Sequence, residues 1–264
     1  MQKRIGFGII GCGLISAFHI RAIRAIREAE LIGVFDPFPE AARRCAEENG
    51  VKAFATREEL MGCPEVAVVC VCTPNGLHAE IALQALRAGK HAVVEKPMAI
   101  TLTDADRLVQ ASRESGRMVC VISQLRFSPA VQAVRRARLA GAFGKLVSAG
   151  LSMKYYREAA YYTRSAWHGS WKMDGGGALM NQGIHGVDLL QYLAGPVRRV
   201  SAVCRTQTRP MEAEDSAAAV LEFADGALGV LEGSTTCFPG YPRRLELCGD
   251  QGSVILQEED ILRW

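Results

Sequence analysis

The stretch Ile5-Gly6-Phe7-Gly8-Ile9-Ile10-Gly11-Cys12-Gly13-Leu14-Ile15-Ser16 decides the fold. An apolar run is followed by Gly11-x-Gly13-x-x-Ser16, and helical spacing then covers Ser16–Arg27. A strand, a glycine-rich turn and a helix in this order are typical of a dinucleotide-binding βαβ unit. Gly11 permits the tight turn, and Gly13 lets the backbone approach a pyrophosphate at the helix N-terminus. Ser16 is small enough for the helix to pack closely on the strand.

An acidic residue, Asp36, closes the second apolar run at about the ~20-residue distance that this pattern requires. A carboxylate there accepts hydrogen bonds from the adenosine ribose and repels a 2′-phosphate. The sequence therefore predicts NAD as the cofactor and disfavours NADP. Alternatively, Asp36 is a turn residue before Pro37, because Asp-Pro commonly opens turns.

Short β-branched runs alternate with helical segments as far as Gln124, which is typical of a parallel sheet covered by helices on both faces. The runs are Ile5–Ile10, Leu31–Phe35, Val66–Val71, Ala92–Val94 and Met118–Ile122. Thr56 with Glu59 and Thr103 with Asp106 fit capping boxes, and Gly50, Gly89 and Gly116 fit helix ends. We therefore expect an α/β, doubly wound Rossmann domain over residues 1–124.

A different pattern follows over residues 125–264. It predicts an α+β domain with a basic helix, Ala130–Leu139, an aromatic-rich loop, a glycine run, a second helix and further strands. The predicted strands are Leu146–Lys154, Arg199–Thr206, Ala217–Phe223, Ala227–Ser234 and Leu245–Cys248. At 264 residues, the chain is long enough for two domains of roughly 100–150 residues each.

The composition excludes several classes of protein. Hydrophobic residues make up 49% of the chain and charged residues 22%, which is typical of a chain that buries a core. The net charge is only +3, and no basic run is interleaved with aromatic residues, so neither nucleic acid nor a membrane surface is an expected partner. No apolar stretch reaches the roughly 20 residues of a membrane-spanning helix. Nine cysteines without repeated short-spaced pairs predict reduced thiols and a cytoplasmic protein.

Two residues are candidates for acid–base chemistry, because oxidising an alcohol requires a group that accepts the hydroxyl proton. Lys96 follows an apolar strand at its carboxyl end, where doubly wound sheets bind ligands. The alternative is an ordinary surface lysine before Pro97. His185 shares one predicted helix face with Asn181 and Asp188, at spacings i, i+4 and i+7.

In that arrangement His185 is the base or acid, and Asp188 is placed to orient its ring. Asn181 can fix substrate or imidazole but cannot accept a proton. A hydrogen-bonded core histidine is the alternative for His185. Because asparagine is a poor ligand for the metals that choose histidine, we expect no metal site.

Aromatic residues crowd the loop before the glycine run: Tyr155, Tyr156, Tyr161, Tyr162, Trp167 and Trp171. They fit a carbohydrate cleft, because sugar rings stack on aromatic rings, and they fit packing of the loop equally well. Gln124 and Arg126 directly follow the last Rossmann strand, where they are placed to reach nicotinamide or substrate.

Four motifs together resemble the family of glucose–fructose oxidoreductase, inositol dehydrogenase and rhizopine catabolism proteins (Gfo/Idh/MocA). They are Gly11-x-Gly13-x-x-Ser16, Thr73-Pro74-Asn75 with His78, Glu95-Lys96-Pro97, and Gly175-Gly176-Gly177 leading to Asn181, His185 and Asp188. They cover both halves of the chain in the family's order. Within the family, Trp171–Leu190, Glu214-Asp215 and Pro239-Gly240-Tyr241-Pro242 look most like sugar and nucleotide-sugar dehydrogenases.

The resemblance implies an NAD-dependent oxidoreductase that acts on a secondary hydroxyl of a sugar, sugar acid, nucleotide sugar or cyclitol. Its second domain would contain an open, mainly antiparallel sheet, bind substrate over the nicotinamide, and join subunits into a homodimer or homotetramer. Lys96 and His185 would be catalytic. The implied cofactor residues are Gly11, Gly13, Leu14, Ile15, Asp36, Thr73, Pro74, Asn75, His78, Glu95, Lys96 and Gln124. The implied substrate residues are Lys96, Arg126, Trp171, Asn181 and His185.

Two departures from the family pattern are visible. Asn181 stands where several relatives carry an aspartate, so a carboxylate relay through that position cannot operate. The chain stops at Trp264, where relatives continue through further strands and a C-terminal helix, so we expect the second domain to lack that segment. Two other functions stay open: an NAD-retaining glycosidase of the same family that acts by transient oxidation and elimination, and a non-catalytic NAD or sugar sensor.

Overall fold

The computed structural model describes residues 4–163 and 167–264. The chain divides into two compact units after Ile122, close to the predicted domain boundary. Within the described ranges, none of the helices has both the length and the apolar character needed to cross a membrane. The cytoplasmic location stays a prediction.

The first unit contains a parallel sheet in the order β3-β2-β1-β4-β5-β6, which confirms the doubly wound α/β class. Its strands are β1 Ile5–Ile10, β2 Ala29–Phe35, β3 Lys52–Ala53, β4 Val68–Val71, β5 His91–Val94 and β6 Val119–Val121. Its helices are α1 Ser16–Ala25, α2 Pro39–Asn49, α3 Arg57–Gly62, α4 His78–Arg87 and α5 Leu102–Ser115. The strand order reverses between β1 and β4, which is where such sheets bind ligands.

Some predicted boundaries are wrong, for local reasons. α1 ends at Ala25 rather than Arg27, because the chain becomes extended at Ile26. Thr56 caps α3 by accepting the Glu59 N–H, as predicted. α5 is capped by Thr101 rather than Thr103, since the Thr101 hydroxyl accepts the N–H of Asp104 and the same Thr-x-x-Asp pattern occurs two residues earlier.

The second unit contains a sheet in the order β13-β12-β11-β7-β10-β9-β8. Only the β7–β10 pair is parallel among the pairs described, so the predicted mainly antiparallel sheet is confirmed. The strands are β7 Leu146–Lys154, β8 Val197–Arg205, β9 Ser216–Phe223, β10 Leu228–Ser234, β11 Arg244–Gly249, β12 Ser253–Gln257 and β13 Asp260–Arg263. The helices are α6 Pro129–Leu139, α7 Ala159–Thr163 and α8 Ile184–Ala194.

Helices α6 and α8 supply apolar side chains to the core of the second unit. Leu189, Leu190 and Leu193 of α8 are almost fully buried with Leu151 of β7 and Leu247 of β11 in one cluster. The i, i+1, i+4 spacing of the three leucines gives α8 one broad apolar face, which fixes its rotation about its own axis. Residues on its other faces are thereby directed away from the sheet.

A buried carboxylate organises the loop between β8 and β9. The Oδ2 atom of Asp215, a residue with no exposed surface, accepts the N–H groups of Gln207 at 2.9 Å, Thr208 at 2.7 Å and Arg209 at 3.0 Å. Burial alone would raise the pKa of this carboxyl, but the backbone donors outweigh burial and lower the pKa below its usual value. The loop therefore depends on the ionised form of Asp215.

We expect Asp215→Asn to reduce the free energy of unfolding at pH 7 by about 1–2 kcal/mol, because charge-assisted hydrogen bonds to three donors are weakened. A carboxyl whose pKa is lowered by folding stabilises the protein above its unfolded pKa, about 3.9, and loses that contribution as pH falls through the folded value. The deficit of the variant should therefore shrink below about pH 4. Urea unfolding at pH 7 and pH 3 measures both quantities.

Glu222→Gln is the matched control, because Glu222 pairs with Arg199 on the exposed surface. We expect it to change the unfolding free energy by less than about 1 kcal/mol at either pH. A deficit for Asp215→Asn that is the same at both pH values would contradict the role given to the carboxylate charge.

Candidate active site

The glycine turn after β1 leaves its backbone open at one position and crowded at another. Gly11 has a φ of 99°, and a Cβ there would lie 2.5 Å from the carbonyl oxygen of Cys72. Gly13 has open space where a Cβ would stand. The Ser16 hydroxyl donates to the Gly13 carbonyl at 2.6 Å and holds the turn on the start of α1. This is the arrangement that lets a pyrophosphate approach the backbone.

Asp36 organises this turn through both carboxylate oxygens. Oδ2 accepts the N–H of Cys12 at 2.8 Å, and Oδ1 accepts the N–H of Phe38 at 2.9 Å. The structure thus shows the turn role that the sequence left as an alternative. A carboxylate oxygen can accept more than one hydrogen bond, so the same group retains capacity for ribose hydroxyls.

The loop after β4 offers polar groups next to the glycine turn. The Thr73 hydroxyl oxygen is buried and, among the residues that the structure describes, has no hydrogen-bond partner. Pro74 precedes a short 3₁₀ turn that begins at the buried Asn75. Exposed Leu14 and partly exposed Ile15 lie on the glycine turn. A buried hydroxyl without a partner beside open backbone fits a dinucleotide, whose phosphate and ribose groups are rich in acceptors and donors.

His78 connects two loops of the first unit. The residue is 1% exposed, with Nδ1 2.7 Å from the Pro97 carbonyl oxygen and Nε2 2.8 Å from that of Thr73. Burial lowers the pKa of its ring. Because both ring nitrogens contact the chain itself, His78 holds the loops after β4 and β5 together. Direct contact with the cofactor stays a prediction.

Glu95 lies in a buried pair that sequence analysis did not find. Its Oε1 atom lies 2.8 Å from Nε2 of His19, and Oε2 accepts the Lys96 N–H at 3.2 Å. Burial tends to raise the pKa of this carboxyl, but His19 and the Lys96 N–H together lower it below its usual value. The only sequence signal was a histidine one turn after Ser16 on the inner face of α1.

Lys96 is half-buried directly after Glu95, at the carboxyl end of β5. A surface lysine would be largely exposed. The backbone of Lys96 is fixed by the Glu95 carboxylate, which is in turn fixed by His19. The position at the strand end therefore agrees with the predicted placement, while the catalytic role stays a prediction.

In the second unit, Glu214 holds the turn that follows the glycine run. Its carboxylate accepts the N–H groups of Gly177 and Leu179, each at 3.0 Å. A Cβ at Gly177 would lie 1.8 Å from the Glu214 carbonyl oxygen, so only glycine fits. Beyond it the chain forms a π-helical turn, Ala178–Gln182, before α8.

The prediction that Asn181, His185 and Asp188 share one continuous α-helical face is wrong. Asn181 lies in the π-helical turn, and α8 begins only at Ile184. The Gly183 N–H bonds the Ala178 carbonyl five residues back, which widens the turn and breaks the α-helical register. The Asn181 amide donates to the buried Asp174 carboxylate at 3.0 Å, and His185 is half-buried in the first turn of α8.

Arg126 and Asp188 bind each other. Nε and a terminal nitrogen of Arg126 donate to the two oxygens of Asp188, with 2.8 Å for the Nε bond. The Arg126 guanidinium also lies 4.9 Å from the Tyr192 ring centre. The structure therefore pairs the predicted orienter of His185 with a predicted substrate ligand. Gln124 begins the short turn Gln124–Phe127 that presents Arg126.

Some aromatic side chains of this loop are buried, and others are exposed. Tyr162 is buried and its hydroxyl donates to Thr235 at 2.8 Å, which is a packing role. Trp171 is 57% exposed, with its backbone N–H bonded to Glu212.

Within the described ranges, no group of His, Cys, Asp and Glu side chains is arranged to hold a metal ion. The expectation of no metal stays a prediction.

Known proteins match this chain over almost all of its length. Residues 5–123 match the oxidoreductase family with an NAD-binding Rossmann fold, and residues 131–255 match the Gfo/Idh/MocA C-terminal domain. The structure of the WlbA dehydrogenase from Bordetella pertussis, in complex with NADH and UDP-GlcNAcA, is 34% identical, with a TM-score of 0.95. That match covers 99% of this chain and 81% of the other.

Two further relatives have different substrates in their names. The 1,5-anhydro-D-fructose reductase of Ensifer adhaerens is 32% identical over 94% of this chain and 74% of its own length. The myo-inositol 2-dehydrogenase of Thermotoga maritima is 27% identical over 94% of this chain and 73% of its own length. The glycine turn, Asp36 and the strand-end loops thus occur in a chain whose two units both match one family. The chain belongs to the Gfo/Idh/MocA oxidoreductase family and is an NAD-dependent enzyme.

Proposed function

We propose that this enzyme oxidises a secondary hydroxyl of a UDP-linked sugar acid. The observation that carries the proposal is the similarity to the WlbA dehydrogenase solved with NADH and UDP-GlcNAcA, which extends over 99% of this chain. The inositol dehydrogenase of Thermotoga maritima is less similar, at 27% identity. The relatives named above are dehydrogenases and a reductase, which favours a dehydrogenase over a glycosidase.

Two side chains of this enzyme are proposed to act on the reacting hydroxyl. Bound NAD supplies the hydride acceptor. Lys96 presents a half-buried ammonium at the end of β5, where it hydrogen-bonds the hydroxyl and stabilises the negative charge that develops on oxygen. His185 presents an imidazole from the first turn of α8, where it removes the hydroxyl proton. The π-helical turn that Glu214 clamps fixes the start of this helix.

The substrate class can be tested with purified protein, NAD and a panel of UDP-GlcNAcA, UDP-GlcNAc, myo-inositol and levoglucosan. We expect reduced cofactor, bound or released, to form with UDP-GlcNAcA, together with a product that has lost one H₂ by mass spectrometry. The value of kcat/KM for UDP-GlcNAcA should exceed that for each of the other three compounds by about tenfold or more. Preference for myo-inositol or levoglucosan would show that the proposed substrate class is wrong.

Lys96→Met and His185→Ala should separate chemistry from cofactor binding. We expect both variants to keep NAD affinity within a few-fold while turnover falls by ~10²-fold or more. Because only a neutral imidazole accepts a proton and imidazole titrates near neutrality, the wild-type oxidation rate should rise with pH through one ionisation. His185→Ala should remove that step. Initial rates between pH 5 and 9 measure it.

Lys145→Met is the matched control for Lys96→Met, because Lys145 is an exposed lysine of the second unit. It should leave turnover and pH profile unchanged. A Lys96→Met variant that keeps full turnover would show that Lys96 is an ordinary lysine without a role in the reaction. If the pH profile survives in His185→Ala, the histidine is structural.

We also propose that the enzyme forms a homodimer or homotetramer through the open face of the second unit's sheet. On that face Val220, Leu228 and Val230 are each more than half exposed, while their strand neighbours Leu221 and Leu231 are buried. Adjacent exposed aliphatic side chains of this kind commonly mark an interface. We expect light scattering at micromolar concentration to give a dimer or tetramer, and Val230→Lys to weaken it. A stable wild-type monomer would refute the proposal.

A further inference from the structure

Two guanidinium groups of the second unit lie against the tyrosines of the aromatic loop. Arg157, just after β7, lies 5.9 Å from the Tyr161 ring centre, and Arg209, between β8 and β9, lies 5.1 Å from that of Tyr156. Both are close to Tyr162, where burial raises the pKa of the hydroxyl and the two positive charges oppose that rise. The two cations therefore act on one small region of the surface.

Arg157 is held beside the turn that precedes the proposed base. One terminal nitrogen donates to the Tyr156 carbonyl at 3.1 Å, and the other donates to Oε1 of Gln182 at 2.8 Å. The Gln182 amide in turn donates to the Tyr161 hydroxyl at 2.9 Å. Gln182 is the last residue of the π-helical turn, three positions before His185. This chain of bonds fixes the guanidinium near the site and leaves further N–H donors on it.

The charge of these two arginines is not neutralised by the residues that the structure describes. Arg126, Arg138, Arg199 and Arg243 each pair with a carboxylate, whereas neither Arg157 nor Arg209 has an ion pair within the described ranges. The Nε–H of Arg209 is moreover buried without a hydrogen-bond partner among those residues. Asp174, a buried acid near Tyr161, accepts from Gly169 and Asn181. A buried donor without a partner is costly unless a ligand satisfies it.

We propose that Arg157 and Arg209 form the subsite for an anionic group of the substrate, and that this pair makes the enzyme prefer substrates that carry such a group over uncharged sugars. The planar guanidinium matches the oxygens of a carboxylate or a phosphate, and the neighbouring tyrosine rings suit a sugar. The inference rests on the proposed function. The shared chemistry is an oxyanion, either the carboxylate of the sugar acid or the diphosphate of the nucleotide.

Calorimetric binding to NAD-loaded protein tests the proposal with three probes. UDP-GlcNAcA carries a carboxylate and a diphosphate, UDP-GlcNAc carries only the diphosphate, and D-glucuronate carries only the carboxylate. We expect Arg157→Met and Arg209→Met each to weaken UDP-GlcNAcA binding by about tenfold or more, since charge-assisted hydrogen bonds are lost. The kcat should change by less than about threefold and KM should rise, because a binding contact rather than the reacting centre is removed.

Arg135→Met is the matched control. Arg135 also lies over a tyrosine, 4.8 Å from the Tyr192 ring centre, and also donates to a backbone carbonyl. It should leave the affinity for UDP-GlcNAcA within about twofold. Arg157→Lys, which keeps the charge but loses the planar fork, should recover part of the affinity and covers the case in which Arg157→Met does not fold.

The pattern across probes identifies the oxyanion. Weaker binding of UDP-GlcNAcA and D-glucuronate assigns the carboxylate, and weaker binding of both UDP-sugars assigns the diphosphate. Unchanged binding of all three probes in both variants, or no binding of any probe to the wild type, overturns the subsite. If the wild type binds anions through Arg157 but oxidises no UDP-sugar, the proposed function fails while the subsite stands.

Discussion

The buried contact between Glu95 and His19 is the interaction on which the first unit's site depends. The Glu95 carboxylate joins α1, which follows the glycine turn, to the backbone of Lys96 just after β5. Removing either partner would leave a polar group buried without its partner, which costs several kcal/mol in comparable pairs. The pair therefore joins the helix that follows the glycine turn to the strand end that carries Lys96.

Buried carboxylates also hold segments of the second unit, but their partners are backbone N–H groups instead of a histidine. Glu214 clamps the turn after the glycine run, and the adjacent Asp215 clamps the loop that carries Arg209. Two consecutive acidic residues just before β9 thus hold two segments, the turn before α8 and the loop between β8 and β9. Carboxylates are suited to this task, because each oxygen accepts several N–H groups and the negative charge strengthens every bond.

Periodicity predicted most strands of both sheets, because the pattern is local, but it did not predict β3, β12 or β13. The glycine turn and Asp36 predicted the NAD-binding fold, which the family match confirms. The Glu95–His19 pair could not be predicted, since its partners are 76 positions apart and only the folded sheet brings them together. The π-helical turn was not predicted for a different reason. The prediction continued one α-helical spacing through Gly183, and no residue type indicates a π-helical turn. The pairing of Arg126 with Asp188 likewise depends on packing of α8 that the pattern does not specify.

His78 has a mechanical consequence for the first unit. A single imidazole, enclosed on all sides, touches a carbonyl from the loop after β4 and another from the loop after β5. The ring links two pieces of backbone, because a large shift of either loop would break a buried polar contact of the imidazole. A shift of the Thr73 backbone would therefore disturb the contact to Pro97, so the loop after β4 is coupled to the segment that carries Lys96.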